Sequence, residues 1–176
     1  MSETQLESLK IDKAVVDDIH RLEFIITAMN VAKDLGYFER QFEYQKKGTR
    51  QLYIVSFNGI DAGYCILNWQ PKYGLFKKLG VPEIQDLNVL SAFRRQGIAT
   101  AVIAHCESAA RKQAHEYMGI GVSVSAAFGP AQRLYTKLGY MPDGSGVCYD
   151  RKPTLPNEMR ALDDQLCLMM MKDLNP

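Results

Sequence analysis

The sequence lacks most of the features that settle a function class at sight. No apolar run approaches the about 18 residues that a bilayer-crossing helix needs, so no segment is expected to span a membrane. The residues before Leu6 are polar, which is not the pattern of a secretory leader. Only four cysteines occur, Cys65, Cys106, Cys148 and Cys167, and none forms a CxxC pair. Cys65, Cys106 and Cys167 lie in apolar runs, so buried free thiols in a reducing cytoplasm are the expectation. The three histidines, His20, His105 and His115, each fall in a helical pattern and are not grouped. No set of His, Cys and carboxylate has ligand spacing, so no metal is expected. Charge of one sign is missing as well: 21 Lys and Arg stand against 20 Asp and Glu, for a net charge of +1. That balance gives no global pull toward nucleic acid. The common nucleotide loops are absent too. There is no GxxxxGK[ST], and Gly119-Ile120-Gly121 lacks the later glycine of a dinucleotide fingerprint.

What is present reads as one ordinary globular domain over 1–176. The composition is 47% hydrophobic and 23% charged, and 176 residues suffice for a real core. A first, edge-like strand is expected near 9–15, after a loose segment at 1–5. Val15, Ile19, Leu22, Ile26 and Met29 recur at helical spacing, which predicts a helix over 15–34 closed by Gly36. Residues 38–47 read as a short amphipathic helix. Asn58-Gly59 between 51–57 and 61–70 predicts a hairpin. A loop over 71–82 leads to a central strand at 83–90 and a helix reaching about residue 117. A strand at 119–125 follows, then a helix opened by Gly129-Pro130 and ended by Gly139. The Gly-, Pro- and Asp-rich stretch 142–156 reads as a long loop, and 166–171 as a last buried strand with a Met run in the core. This order predicts an α/β fold, a mixed sheet flanked by helices. The strand before each crossover helix should run parallel to the next strand.

The stretch 83–110 carries the chemical signal. An apolar strand feeds the turn Arg94-Arg95-Gln96-Gly97, and helical spacing begins at Ile98. Backbone N–H groups at a helix start have no intrahelical partner, and the dipole there favours negative charge. Gly97 removes a side chain where an anion must come close, and Arg94 and Arg95 add positive charge. The turn therefore reads as a phosphate site.

Two blocks resemble the GCN5-related N-acetyltransferases. Leu87-x-Val89, four residues, then Arg94-x-x-Gly97-x-Ala99 is similar to motif A of that family. The block 124–140, with Ala131, Tyr135, Lys137, Gly139 and Tyr140, resembles motif B. Phe128 stands where many relatives carry Asn, so that Asn contact does not carry over. The resemblance implies a sheet whose two central strands splay, with parallel splayed strands in an otherwise mostly antiparallel sheet. It implies acetyl-CoA as cosubstrate, with Leu87, Asn88 and Val89 pairing to the pantetheine amides. The phosphates would be held by Arg94, Arg95, Gln96, Gly97, Ile98, Ala99 and Thr100, with Phe128, Ala131 and Gln132 also at the cofactor.

Acetyl transfer to an amine by direct attack needs an acid for the leaving thiolate and a base for the ammonium. Tyr135 holds the motif B position where the family often places the acid. Glu83 lies where some members keep a glutamate base, and Asp86 is a second carboxylate on the same strand. A carboxylate in an apolar strand either has a task or is paired with a Lys or Arg. The two should face opposite sides of the strand unless a bulge intervenes. Trp69, Tyr73 and Phe76 are expected walls of an acceptor pocket. The expected acceptor is a small-molecule or peptide amine, and the chain is expected to be a monomer or homodimer. The rival readings are an acyl-CoA-binding sensor without chemistry and a nucleic-acid module using Arg94-Arg95.

Overall fold

The computed structural model of the protein describes residues 8–175. The expected loose segment at 1–5 lies outside them. Eight strands form one mixed sheet: β1 (Leu9–Lys13), β2 (Arg50–Phe57), β3 (Ile60–Asn68), β4 (Glu83–Val89), β5 (Tyr117–Ser123), β6 (Met141–Tyr149), β7 (Lys152–Pro153) and β8 (Leu166–Asp173). Their order across the sheet is β1-β2-β3-β4-β5-β8-β6-β7. The helices are α1 (Ile19–Ala28), α2 (Tyr37–Lys46), α3 (Gly74–Leu79), α4 (Ile98–Lys112) and α5 (Gly129–Lys137). The parallel pair is β4 with β5, through Glu83 opposite Gly119 and Ile84 opposite Ile120. The expected rule thus holds across α4. Across α5 it holds in direction only, because β5 and β6 both run antiparallel to β8, which lies between them.

The chain divides into two compact units. The first holds residues up to Trp69 and Gln85–Cys106. Its core is built on β2. Leu52 and Ile54 pack with Leu22 and Ile25 of α1 and Phe38 and Phe42 of α2. Tyr53, between them and so on the other face, meets His105 of α4 edge-on at 4.8 Å. The β2–β3 hairpin turns on Asn58 and Gly59, with φ of 52° and 77°, the left-handed pair that a two-residue turn requires. Gly63 lets β3 approach β4, since a Cβ there would sit 2.1 Å from the carbonyl oxygen of Asn88.

Helix α1 departs from expectation. It stops at Ala28, because Asn30 adopts φ 53° and closes a Schellman motif. The Val31 N–H donates to the Ile26 carbonyl and the Asn30 N–H to that of Thr27, both at 3.0 Å. Gly36, read as the end of the first helix, instead immediately precedes α2 with φ 70°.

The second unit holds Gln70–Ile84 and Glu107 onward. The expected loop at 71–82 contains α3, whose Phe76 packs with Tyr73, Val81, Cys148, Cys167 and Met169. Gly119 of β5 accepts this ring, since a Cβ there would lie 2.3 Å from it. The expected long loop at 142–156 is mostly strand. Residues Met141 and Pro142 pair with β8, the register then shifts, and pairing resumes at Val147. Gly144 and Gly146, both at positive φ, fall within the irregularity, so composition that suggested a loop encodes a bulged strand. All four cysteines are buried and free. Among the described residues, no helix is long and apolar enough to cross a membrane.

Candidate active site

In the first unit, the turn between β4 and α4 has the form the sequence predicted. Arg95 and Gly97 take φ of 61° and 77°, and α4 begins at Ile98. The first main-chain bond beyond the turn is the Ala101 N–H to the Gly97 carbonyl at 3.0 Å. The N–H groups of Ile98, Ala99 and Thr100 therefore project from the helix start without an intrahelical acceptor. No acidic residue lies in the first turn of this 15-residue helix. Arg94 and Arg95 are exposed. The Arg94 Nε donates to the Val89 carbonyl at 3.0 Å, which ties the turn to the end of β4. Gln96 is anchored in the same way, its amide nitrogen donating to the Ala92 carbonyl at 3.3 Å.

Upstream on β4, Asp86 has φ 49°, so the strand carries the local break that the sequence allowed for. Asn88 supports it, with its Nδ2 donating to the Asp86 carbonyl (3.0 Å) and to its Oδ1 (2.8 Å). Lys33 Nζ donates to both carboxylate oxygens, at 2.9 and 2.8 Å. The hydroxyls of Tyr37 and Tyr64 each donate to Oδ2 at 2.7 Å. Burial pushes the Asp86 carboxyl up. The Lys33 charge and the bonds from Lys33, Tyr37 and Tyr64 outweigh it and hold the carboxyl below its usual range. Burial and the facing carboxylate push both phenols well above theirs. Trp69 also belongs to this unit and is half-buried.

In the second unit, Glu83 is fully buried and accepts from Arg151, at 3.1 Å from Nε and 2.9 Å from Nη2. Arg151 sits in the β6–β7 turn with φ 63°. Tyr135 is a buried residue of α5, its ring 6.3 Å from that of Tyr140. Tyr140 in turn donates to Glu107 at 3.0 Å, and Lys172 Nζ holds both Glu107 oxygens at 2.9 Å. Gln132 donates its amide to the Ser123 carbonyl at 2.9 Å, while Phe128 and Ala131 are half-buried beside it in sequence. Tyr73 donates to Asp143 at 2.6 Å, and burial with this bond pushes its phenol up to about 12. Tyr73 and Phe76 were expected to line an acceptor pocket. The structure places both in the core, Phe76 at 0% exposure and Tyr73 at 3%, stacked edge-on at 4.9 Å. Their apolar surface is consumed by α3 packing on the sheet. Among the described residues, no group of His, Cys, Asp and Glu could hold a metal ion.

Residues 16–140 match the family model described as Acetyltransferase (GNAT) family. The chain belongs to the GNAT acetyltransferase family. No curated protein sequence matches it. Solved structures share the family's fold. A GNAT family acetyltransferase from Elizabethkingia anophelis with acetyl-CoA bound has a TM-score of 0.63 and 15% identity, over 95% of this chain and 99% of that one. Naa50 of Arabidopsis thaliana, in complex with the bisubstrate analogue CoA-Ac-MVNAL, has a TM-score of 0.64 and 15% identity, over 94% and 99%. A Salmonella typhimurium acetyl transferase that modifies the N-terminal serine of ribosomal protein L7/L12 has a TM-score of 0.67 and 12% identity, over 94% and 95%. At such identities the likeness is one of fold.

Within this GNAT chain, the sequence missed the partners of its two β4 carboxylates. Lys33 falls within the expected 15–34 helix, Tyr64 within an expected strand and Arg151 within the expected loop at 142–156. The one available signal was the carboxylates themselves: two acids in an apolar strand call for cations from elsewhere.

Proposed function

We propose that the protein is an acetyl-CoA-dependent N-acetyltransferase that acts on a primary amine by direct transfer. The observation that carries this reading is the turn ahead of α4. It combines two left-handed residues, Arg95 and Gly97, with the first N–H groups of a long helix, which have no intrahelical acceptor, and no acidic side chain. These residues fit a diphosphate: the N–H groups supply donors, Gly97 leaves room, and Arg94 and Arg95 supply charge. Leu87, Asn88 and Val89 are assigned to the pantetheine amides, and Phe128, Ala131 and Gln132 to the remainder of the cofactor. Bound acetyl-CoA supplies an activated acyl group and a thiol leaving group with an ordinary pKa near 8.5.

The chain's own residues supply the proton transfers. Tyr135 is assigned to protonate the departing sulfur. Asp86 and Glu83 are the candidates to take a proton from the amine. Accessibility separates them: the Asp86 side chain is 19% exposed and that of Glu83 is 0%. Asp86 is therefore the carboxylate that an incoming ammonium can reach, while its lowered carboxyl favours holding the ammonium's charge over taking its proton. Four buried free thiols support a reducing compartment, and we place the protein in the cytoplasm.

One observation favours a second reading. Both β4 carboxylates are already paired with cations, Glu83 with Arg151 and Asp86 with Lys33. An acyl-CoA-binding sensor without a free base would look the same. Thiol release from acetyl-CoA across a panel of primary amines separates the two: the enzyme liberates CoA with some amine, and the sensor binds acetyl-CoA yet liberates none.

A further inference from the structure

The environment of Asp86 is that of an ammonium receptor. Five hydrogen bonds converge on one carboxylate, two from Lys33 and one each from Tyr37, Tyr64 and Asn88. The Lys33 ammonium also lies over the Tyr37 ring, 4.7 Å from its centroid. An aromatic face, two hydroxyls and a carboxylate are the groups that bind a primary alkylammonium. The rigid parts of this cage come from regular elements: Tyr37 from α2, Tyr64 from β3, Asp86 and Asn88 from β4. The cation does not. Lys33 lies on the irregular link between α1 and α2, which also carries Leu35 at 99% exposure. Held by packed elements, the cage stays if Lys33 leaves.

We infer that Lys33 is an internal stand-in for the acceptor, and that a cationic primary alkylamine displaces it from the Asp86–Tyr37–Tyr64 cage. This deepens the acetyltransferase reading and rests on it for the fate of the amine, because Asp86 precedes the segment assigned to the pantetheine amides. The exchange swaps one ammonium–carboxylate pair for another, so its net free energy is small. Lys33 acts as a tethered competitor, and the apparent affinity for an acceptor is reduced by the fraction of time Lys33 occupies the cage. The acceptor class follows: an unbranched primary ammonium on an alkyl arm, as on a polyamine, a lysine side chain or a small alkylamine.

The test uses n-butylammonium, which reproduces the Lys33 arm beyond its Cα, with n-butanol as the uncharged control. Titration of the wild-type protein without acetyl-CoA is followed by the backbone amide signals of Asp86, Leu87 and Asn88. Saturable shifts below about 100 mM are expected with the ammonium and none with the alcohol. Lys33→Ala should bind n-butylammonium about tenfold more tightly and gain thermal stability from it, and adding Asp86→Asn should abolish both effects. If Lys33→Ala does not fold, the wild-type titration decides alone. Absence of saturable shifts in wild type, or equal shifts with n-butanol, overturns the inference. Because these readouts need no turnover, binding without CoA release in the amine screen would refute the enzyme reading and leave the ammonium site standing.

Discussion

Arg151 Nη2 stands 2.9 Å from a carboxylate oxygen of Glu83, whose side chain is fully buried. The pair joins the start of β4 to the β6–β7 turn, and it determines what can be asked of Glu83. A buried carboxylate matched to a guanidinium is expensive to break and inexpensive to replace as a unit. Glu83→Gln should therefore destabilise the protein by roughly 3–5 kcal/mol, while Glu83→Leu with Arg151→Met should recover most of that loss. Thermal unfolding measures both. If the double variant also keeps wild-type turnover, Glu83 is structural and the base lies elsewhere.

Asp86 gives a prediction in pH. Its folded pKa lies below the ordinary 3.8, so the native state holds the proton less tightly than the unfolded chain. The stability it contributes is fully present above pH 3.8 and is lost as pH falls through the lower folded value. Asp86→Asn should lower the melting temperature at about pH 7, and the gap to wild type should narrow by about pH 3. A gap of constant size across that range would contradict the cage of Lys33, Tyr37 and Tyr64 around this carboxylate.

Tyr135→Phe removes one hydroxyl from a buried ring. With the acid role assigned, kcat should drop by about tenfold or more while acetyl-CoA affinity stays within about twofold. Steady-state kinetics with a separate binding titration reads the two effects apart. Unchanged kcat would leave Tyr135 as packing against Tyr140.

Gly63→Ala tests the close approach of β3 and β4. The added Cβ would meet the Asn88 carbonyl oxygen at 2.1 Å, a backbone atom that cannot move aside without shifting β4. The variant should lose about 1–3 kcal/mol of stability. Because Asn88 is assigned to the pantetheine-pairing segment, acetyl-CoA binding should weaken as well. Chemical denaturation and a binding titration measure the two losses.

The parts of the site that were legible in the sequence are those specified by neighbours along the chain. The turn Arg94–Gly97 and the start of α4 follow from a glycine, two arginines and helical spacing within a few residues. The Asn58-Gly59 hairpin is equally local. The ion pairs were not legible, because Lys33 and Asp86 are 53 residues apart and Glu83 and Arg151 are 68 apart. A carboxylate in a strand announces that it needs a partner but not which one. Residues 142–149 misled for a different reason. Glycine and proline signal loops on average, yet here pairing with β8 overrides them on both sides of a bulge. Gly36 carries the usual helix-stop signal, yet Asn30 performs that role and Gly36 precedes the next helix. Tyr73 and Phe76 show the limit of composition, since an aromatic pair beside lysines reads equally as a wall or as core, and only packing decides.

The most direct test of the account is calorimetric titration of acetyl-CoA into the wild-type protein and Gly97→Glu. The substitution places a side chain and a negative charge at a left-handed turn residue that the account assigns to the cofactor's phosphates. Micromolar-range binding to wild type is expected, with a loss of about 100-fold or more in the variant and the fold retained by circular dichroism. Equal affinity in the two proteins would contradict it.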